Sequence, residues 1–534
     1  MVVIYRVFAP ALAVFCAVLG CVEKQGPIEA VDDKATPVAV PTVSRSYARV
    51  VGQEFPTHKD TYPNKVKTHI GELTFDHGIP TEETSEKLYY EMDYHRAVQV
   101  YLWSLPIMGQ AQWRQSYLDL YDMKPNQMVY ATQFDDRSQI LTANETTPYL
   151  FGWTNVKDKA AVFEVPPGAV IGLGIDFWQR GLDYGLFGPN AGKGGTWVIT
   201  GPETPQSEIP YIEGARFIEL QTNNVWLVSR LSMPAGERDQ VVSGFKLYYN
   251  GETPRAATII PSDNKPGRNY QPRGMKYWEM LHAILQEEPV EERDRFFMYF
   301  LKEMGIEKGK PFDPSERQKE ILADAVLVGE AMAKNMVFRE RLPGVLRDDG
   351  WRLIIGRVEG SEPGDAMENT QRTKYFDRFD PRARFTYEAC LTSERMSFPR
   401  PGLGMGYGGM FLDTKGRALA GDRSYVINVP ANPPVSLFWA VTIYDVDTRG
   451  LITTDQKRAE RGSVHEGVRT NPDGSTPIFI GPKAPEGWES NWIKSVPGRA
   501  WFPYFRFYGP TEPFFDQSWK LPQIEETDFA SVAE

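Results

Sequence analysis

The stretch from Ser424 to Asp455 sets the pattern for much of the chain. Tyr425 to Val429 and Leu437 to Tyr444 are aromatic and β-branched runs, separated by a Pro-rich connection and closed by an Asp/Gly turn, which is the composition of two sheet strands. Short runs of the same kind recur earlier: Met128 to Thr132, Tyr149 to Thr154, Ala160 to Val165, Val170 to Phe177, Thr196 to Thr200, Phe217 to Leu220 and Val225 to Leu231. Turn residues separate them at intervals that suit a sandwich or jelly roll, and no crossover helix stands between neighbours to make a parallel sheet. Further strands are expected at Gly409 to Asp413, Thr476 to Gly481 and Trp501 to Gly509.

Elsewhere the apolar period lengthens to three and four residues. Tyr90, Tyr94, Val98, Tyr101, Leu102 and Leu105 predict an amphipathic helix within Thr84 to Tyr121, stopped near Pro106. From Met275 to Phe338 the spacing is helical again, and Pro289, Gly305 and Pro311 to Pro314 cut it into about three helices. One more helix is expected from Pro381 to Met396. The pattern as a whole predicts a mainly β protein with helical additions: two antiparallel β-sandwich or jelly-roll-like domains joined by a helical bridge. The expected boundaries are a signal with lipobox at 1–21, a flexible tether at 22–63, a β-rich domain with a helical cover at 64–262, the bridge at 263–350, a β-sandwich at 351–525 and an acidic tail at 526–534.

Composition sharpens this in two ways. With 534 residues, 41% hydrophobic and 13% aromatic, the chain can fill more than one core. A formal net charge of -11 argues against a nucleic-acid partner, since phosphate-binding proteins concentrate Lys and Arg.

The first residues read as an export signal. Arg6 supplies a basic start, Val7 to Leu19 an apolar run, and Val18-Leu19-Gly20-Cys21 a small-residue cleavage site. This resembles a bacterial lipoprotein signal, which implies lipidation at Cys21, a membrane held as partner through that anchor, and, from Val22, the outer membrane. Cys16 would leave with the signal, so Cys390 is the one free thiol expected and no internal disulfide can form.

A family resemblance rests on two sets of residues. Phe438-Trp439, Tyr444-Asp445, Arg461, Asp473-Gly474-Ser475, Ile478 to Pro482, Asn491-Trp492, Arg506, Tyr508-Gly509-Pro510 and Trp519 resemble domain of unknown function twelve-fourteen. Tyr101-Leu102-Trp103 with Pro106, Thr146 to Tyr149, Phe163 to Pro166, and Thr222-Asn223 to Arg230 resemble its usual N-terminal companion, domain of unknown function twelve-fifty-four. In the companion, Asn144-Glu145-Thr146-Thr147 stands where an Asn-Asp-Thr signature is expected. The resemblance implies an envelope or secreted bacterial protein with two jelly-roll-like domains, and it implies no activity and no catalytic residues.

The familiar catalytic motifs are missing. Gly404 to Gly409 fits a dinucleotide glycine pattern, but Pro399 and Pro401 precede it and a strand follows, so a flexible loop is expected instead. Gly188 to Thr196 lacks the spacing of a phosphate loop. Neither G-x-S-x-G nor H-E-x-x-H occurs, and the six His include no i, i+4 pair, so no metal or cofactor is expected. Asp445, Asp447 and Asp455 follow a core strand and are expected to cap a turn and pair with Arg449.

What remains is a set of aromatic, Arg and Asn side chains near strand ends, suited to a sugar ring or an anionic organic ligand, because a ring can stack while a guanidinium forks onto a carboxylate. The candidates are Arg180, Arg230, Trp439, Asp445, Arg449 and Asn491, with Arg506 and Tyr508 as a further pair. If buried, Arg180 and Arg230 need acidic partners or a ligand. Three functions stay open: an envelope lipoprotein that binds or processes a small polar or saccharide-like ligand in an inter-domain cleft, a structural or assembly protein able to form a homo-oligomer, and a carboxylate-dependent hydrolase.

Overall fold

The structure, a computed structural model, describes residues 62–181, 192–339, 347, 349–354, 379–389, 399, 401–402 and 404–529. The signal with Cys21, nearly all of the tether, Cys390, the end of the helix expected to reach Met396 and part of the Gly188 to Thr196 segment lie outside the described residues. The chain divides after Ser85 into two compact units.

In the first unit, β1 (Lys65–Thr68), β2 (Gly71–Asp76) and β3 (Ile79–Pro80) form an antiparallel meander. Leu73 and Phe75 are its buried residues, and Tyr62 meets Phe75 edge to face with ring centres 4.6 Å apart.

The second unit is built on four sheets. The helix α1 (Glu82–Tyr121) leads into it, followed by β4 (Gln127–Ala131), α2 (Phe134–Arg137), β5 (Tyr149–Asn155), β6 (Ala161–Val165), β7 (Val170–Asp176), β8 (Gly195–Thr200), β9 (Arg216–Glu219), β10 (Asn224–Leu231), α3 (Ala235–Ser243), β11 (Lys246–Tyr249) and β12 (Thr258–Pro261). These strands make a five-stranded sheet in the order β12-β4-β5-β10-β7 and a four-stranded sheet in the order β11-β6-β8-β9. Alternation assigns the faces. Met128, Leu150, Val225 and Leu227 pack with Ala161, Phe163, Trp197 and Ile199 in the core between the two sheets. Phe151, Trp153, Trp226 and Val228 point the other way, where α1 covers them with Trp113 and Tyr117.

Three helices follow as expected: α4 (Met275–Glu287), α5 (Arg295–Glu303) and α6 (Glu316–Phe338). Buried polar contacts tie them to α1 and to one another: Trp103 Nε1 on α1 donates to Asp294 Oδ1, just ahead of α5, at 2.8 Å, and Trp278 Nε1 on α4 donates to the Leu322 carbonyl on α6 at 2.8 Å. A separate short helix covers Phe379–Glu388.

The C-terminal strands repeat the five-plus-four plan. β13 (Arg352–Leu353), β14 (Met405–Gly409), β15 (Tyr425–Val429), β16 (Val435–Asp445), β17 (Glu460–Gly462), β18 (Thr476–Gly481), β19 (Trp492–Lys494), β20 (Trp501–Pro510) and β21 (Glu525–Glu526) form the sheets β13-β14-β20-β16-β17 and β19-β18-β15-β21. The fold is mainly β with helical additions and mostly antiparallel. Among the described residues three pairs are parallel: β12 with β4, β8 with β9, and β18 with β19.

The strand expected at Gly409 to Asp413 is displaced toward the N-terminus and ends at Gly409, and two other local expectations fail for identifiable reasons. The helix does not stop at Pro106; α1 runs on to Tyr121. Its middle is buried on most sides, and that packing holds it helical through the proline; further up the helix Ser104 donates to the Val100 carbonyl at 2.8 Å and Tyr277 to the Tyr101 carbonyl at 3.0 Å. The glycine run at 404–409 is largely strand β14 rather than a loop. A Cβ on Gly406 would sit 2.5 Å from Phe514 and one on Gly409 2.5 Å from Ile354, so these glycines are there for close packing.

Candidate functional site

Strand alternation builds the site. On β20, Trp501, Phe505 and Phe507 lie on one face, and Phe502, Tyr504, Arg506 and Tyr508 on the other. Register places Tyr407 of β14 opposite Arg506, and Ala440 and Thr442 of β16 opposite Arg506 and Tyr504. The second face of this five-stranded sheet therefore carries Tyr407, Thr442, Tyr444, Tyr504, Arg506 and Tyr508, all buried. In the N-terminal half, Arg230 of β10 pairs in register with Tyr149 of β5.

These two faces bound a cavity of about 20 Å³, lined by Tyr149, Arg230, Tyr407, Tyr504 and Arg506 together with Leu141, Thr142, Ile354, Phe385 and Ala389. That is the space of about one water molecule.

Arg506 is held firmly. Its Nε donates to Thr442 Oγ1 at 3.0 Å, and Nη2 donates to the Thr142 and Ala143 carbonyls at 2.8 and 3.1 Å and to the Tyr444 hydroxyl. Thr442 passes its own hydroxyl proton to Glu460 Oε2 at 2.6 Å, so a fully buried carboxylate stands one hydroxyl behind the guanidinium. Glu460 also accepts from Thr146 at 2.5 Å, while Ala459 N–H donates to Glu145 at 2.7 Å. The Asn144 to Thr147 loop thus ties the N-terminal half to β17. Burial, reinforced by the charge of Glu460, pushes the Glu145 carboxyl up to about 7.

Arg230 is held differently. It is 8% exposed, and among the described residues no carboxylate pairs with it. Nη1 donates to Met405 Sδ at 3.5 Å, the Tyr407 phenol is within hydrogen-bonding reach, and the Tyr149 ring lies 5.5 Å below the guanidinium. The Tyr508 hydroxyl, buried nearby, also lacks a hydrogen-bond partner among the described residues. Burial raises the pKa of Tyr407, Tyr444, Tyr504 and Tyr508, so these are neutral phenols at physiological pH. Tyr504 donates to Glu388, whose carboxyl is raised by burial and pulled back by Arg384 one turn away.

The remaining candidates fall elsewhere. Arg180 is saturated, with Nε on Asp176 at 2.5 Å and both terminal nitrogens on Glu291 at 2.9 and 2.7 Å. Trp439 stacks on Phe505 with ring centres 5.5 Å apart. Asp445 caps the turn as expected, accepting from the N–H groups of Asp447 and Thr448, but its cation is Arg499, at 2.6 and 2.7 Å, rather than Arg449. Arg449 sits 4.0 Å over the Tyr387 ring and donates to Gln271 and the Tyr387 carbonyl. Asn491 spends its amide on the Arg469 and Pro477 backbone. Of the six ligand candidates, the cavity brings in Arg230 alone. The partners that sequence reasoning left out are Tyr149, Tyr407, Thr442 and Glu460, and the polar residues interleaved with aromatics on β20 were the signal for that face. Among the described residues no group of three His, Cys, Asp or Glu is placed to hold a metal.

Two family models match separate stretches of the chain. Residues 125–247 match the family model described as protein of unknown function DUF1254, and residues 406–512 match the one described as protein of unknown function DUF1214. No curated protein matches the chain significantly. Solved structures that resemble it include the VPA0106 protein from Vibrio parahaemolyticus, at 19% identity and TM-score 0.48, covering 82% of this chain and 100% of that one. A putative uncharacterized protein from Burkholderia cenocepacia is also similar, at 10% identity and TM-score 0.38, covering 83% of this chain and 97% of that one. The chain therefore carries the DUF1254 and DUF1214 domains in tandem, in that order from the N-terminus.

Proposed function

We propose that this protein is an exported, lipid-anchored binding protein for a small polar ligand that docks at Arg230, beside the cavity between the two β regions. One observation carries the reading: Arg230 is buried beside that cavity without a carboxylate partner among the described residues. Burying an unpaired guanidinium is costly, and a ligand that meets it would offset the cost. The test is thermal unfolding of the purified protein against a panel of sugars, organic acids and divalent metals. A ligand that prefers the folded state raises Tm by several degrees at saturating concentration, and the Arg230→Met variant loses that rise. A flat response across the panel sinks the reading.

Export and anchoring rest on the residues around Cys21. Cys21→Ser is expected to abolish metabolic labelling with radioactive palmitate, and labelling that persists would refute the anchor.

A structural or assembly role has its own support, since Arg180, Trp439, Asp445, Arg449 and Asn491 are all satisfied inside the protein. That is the reading a flat panel would leave.

A further inference from the structure

We propose that the guest of this cavity is a small monoanion of the carboxylate class that docks on Arg230; the inference rests on the ligand-binding reading above. Charge matching decides the class. Among the described residues two charged side chains line the cavity, Arg230 and Arg506. Arg506 already has an anion behind it, because Thr442 links its Nε to the buried carboxylate of Glu460 through hydrogen bonds of 3.0 and 2.6 Å. Glu388, which stands behind Tyr504, has Arg384 four residues before it on the same helix. Arg230 alone has no such counterpart among the described residues. Its acceptors there are a thioether and a phenol, both neutral, and a thioether accepts hydrogen bonds weakly. One unmatched positive charge calls for one negative charge.

Donor geometry narrows the choice further. A carboxylate is planar and can take two parallel N–H bonds from a guanidinium fork, leaving an oxygen edge for a third donor. The Tyr508 hydroxyl, buried close to Arg506, Tyr407 and Arg230 without a partner among the described residues, is suited to be that donor. A dianionic phosphate would bring one charge too many. A neutral sugar would leave Arg230 unmatched, and a divalent cation would face two guanidinium groups.

The test uses the purified full-length chain and follows thermal unfolding with sodium formate or sodium acetate against sodium chloride, sodium phosphate, glucose and methyl acetate, the salts at equal ionic strength. Formate or acetate is expected to raise Tm in a saturable way while the others do not. Arg230→Met is expected to unfold no lower than the parent in chloride, because it removes an unmatched buried charge, and to lose the carboxylate-dependent rise. Arg230→Met unfolding several degrees lower in chloride would show that the guanidinium has an internal counterpart and would overturn the proposal. So would a phosphate- or glucose-dependent rise that exceeds the carboxylate one, though this would leave ligand binding itself standing. No response to any of the compounds removes the monoanion and the binding reading together.

Discussion

Arg180 and Arg230 are both buried arginines at strand ends, and their surroundings assign them opposite roles. Arg180 clamps Asp176, which is 1% exposed, to Glu291 ahead of α5. Arg180→Met would strand Asp176 and weaken the hold on Glu291, and breaking one side of such a buried pair costs about 3–5 kcal/mol. Urea unfolding of Arg180→Met is expected to show a loss of that order, with Arg180→Lys between the two because an ammonium cannot fork onto two carboxylates. A loss under about 1 kcal/mol would mean the network is solvated and contributes little. Sequence pointed to both arginines for the same reason, an aromatic nearby. Which of them is paired depends on Glu291, more than a hundred residues from Arg180, and no local pattern carries that information.

At the level of elements, the strands were legible nearly to the residue. Thr476–Gly481 and Tyr425–Val429 sit where alternation and β-branching placed them, and the three bridge helices break where Pro and Gly do. Two misreadings share a cause. Pro106 and the glycines of β14 are local breakers, and in both places tertiary packing outweighs local preference: α1 keeps its helix because its middle is buried on most sides, and β14 keeps its strand because bulky neighbours fill the space of the missing Cβ atoms. The site was less legible than the fold. Alternation along β20 separates Tyr504, Arg506 and Tyr508 from Phe505 and Phe507, yet it does not say that Tyr149 and Arg230, from sheet strands far earlier in the chain, will face them.

For the molecule as a whole, two buried carboxyls give stability a pH dependence. Glu145, at the contact between the halves, and Glu288, which accepts from the Asn223 and Asn224 N–H groups, are each pushed from an ordinary 4.5 up to about 7, chiefly by burial. A carboxyl whose folded pKa is raised binds its proton more tightly in the folded chain. Its contribution is present in full below about pH 4.5 and is lost as pH rises through about 7. Paired carboxylates such as Asp447 and Glu291 are shifted downward instead and lose stability only in more acid solution. The free energy of denaturant unfolding is therefore expected to fall between about pH 5 and pH 8 by on the order of 1–3 kcal/mol per group, and the double variant Glu145→Gln, Glu288→Gln should flatten that slope. A midpoint that holds steady or climbs across this window would contradict the assignment.

The Asn144 to Thr147 loop, docked on Ala459 and Glu460, has a consequence for how such a chain can be cut. A fragment carrying only the first β region would bare Arg230 and Tyr149, and one carrying only the second would bare a row of phenols around Arg506. Each piece would be left with an oily, charged scar that sticks to whatever it meets. Joining the two in one polypeptide supplies them in equal number, each within reach of the other from the moment of synthesis.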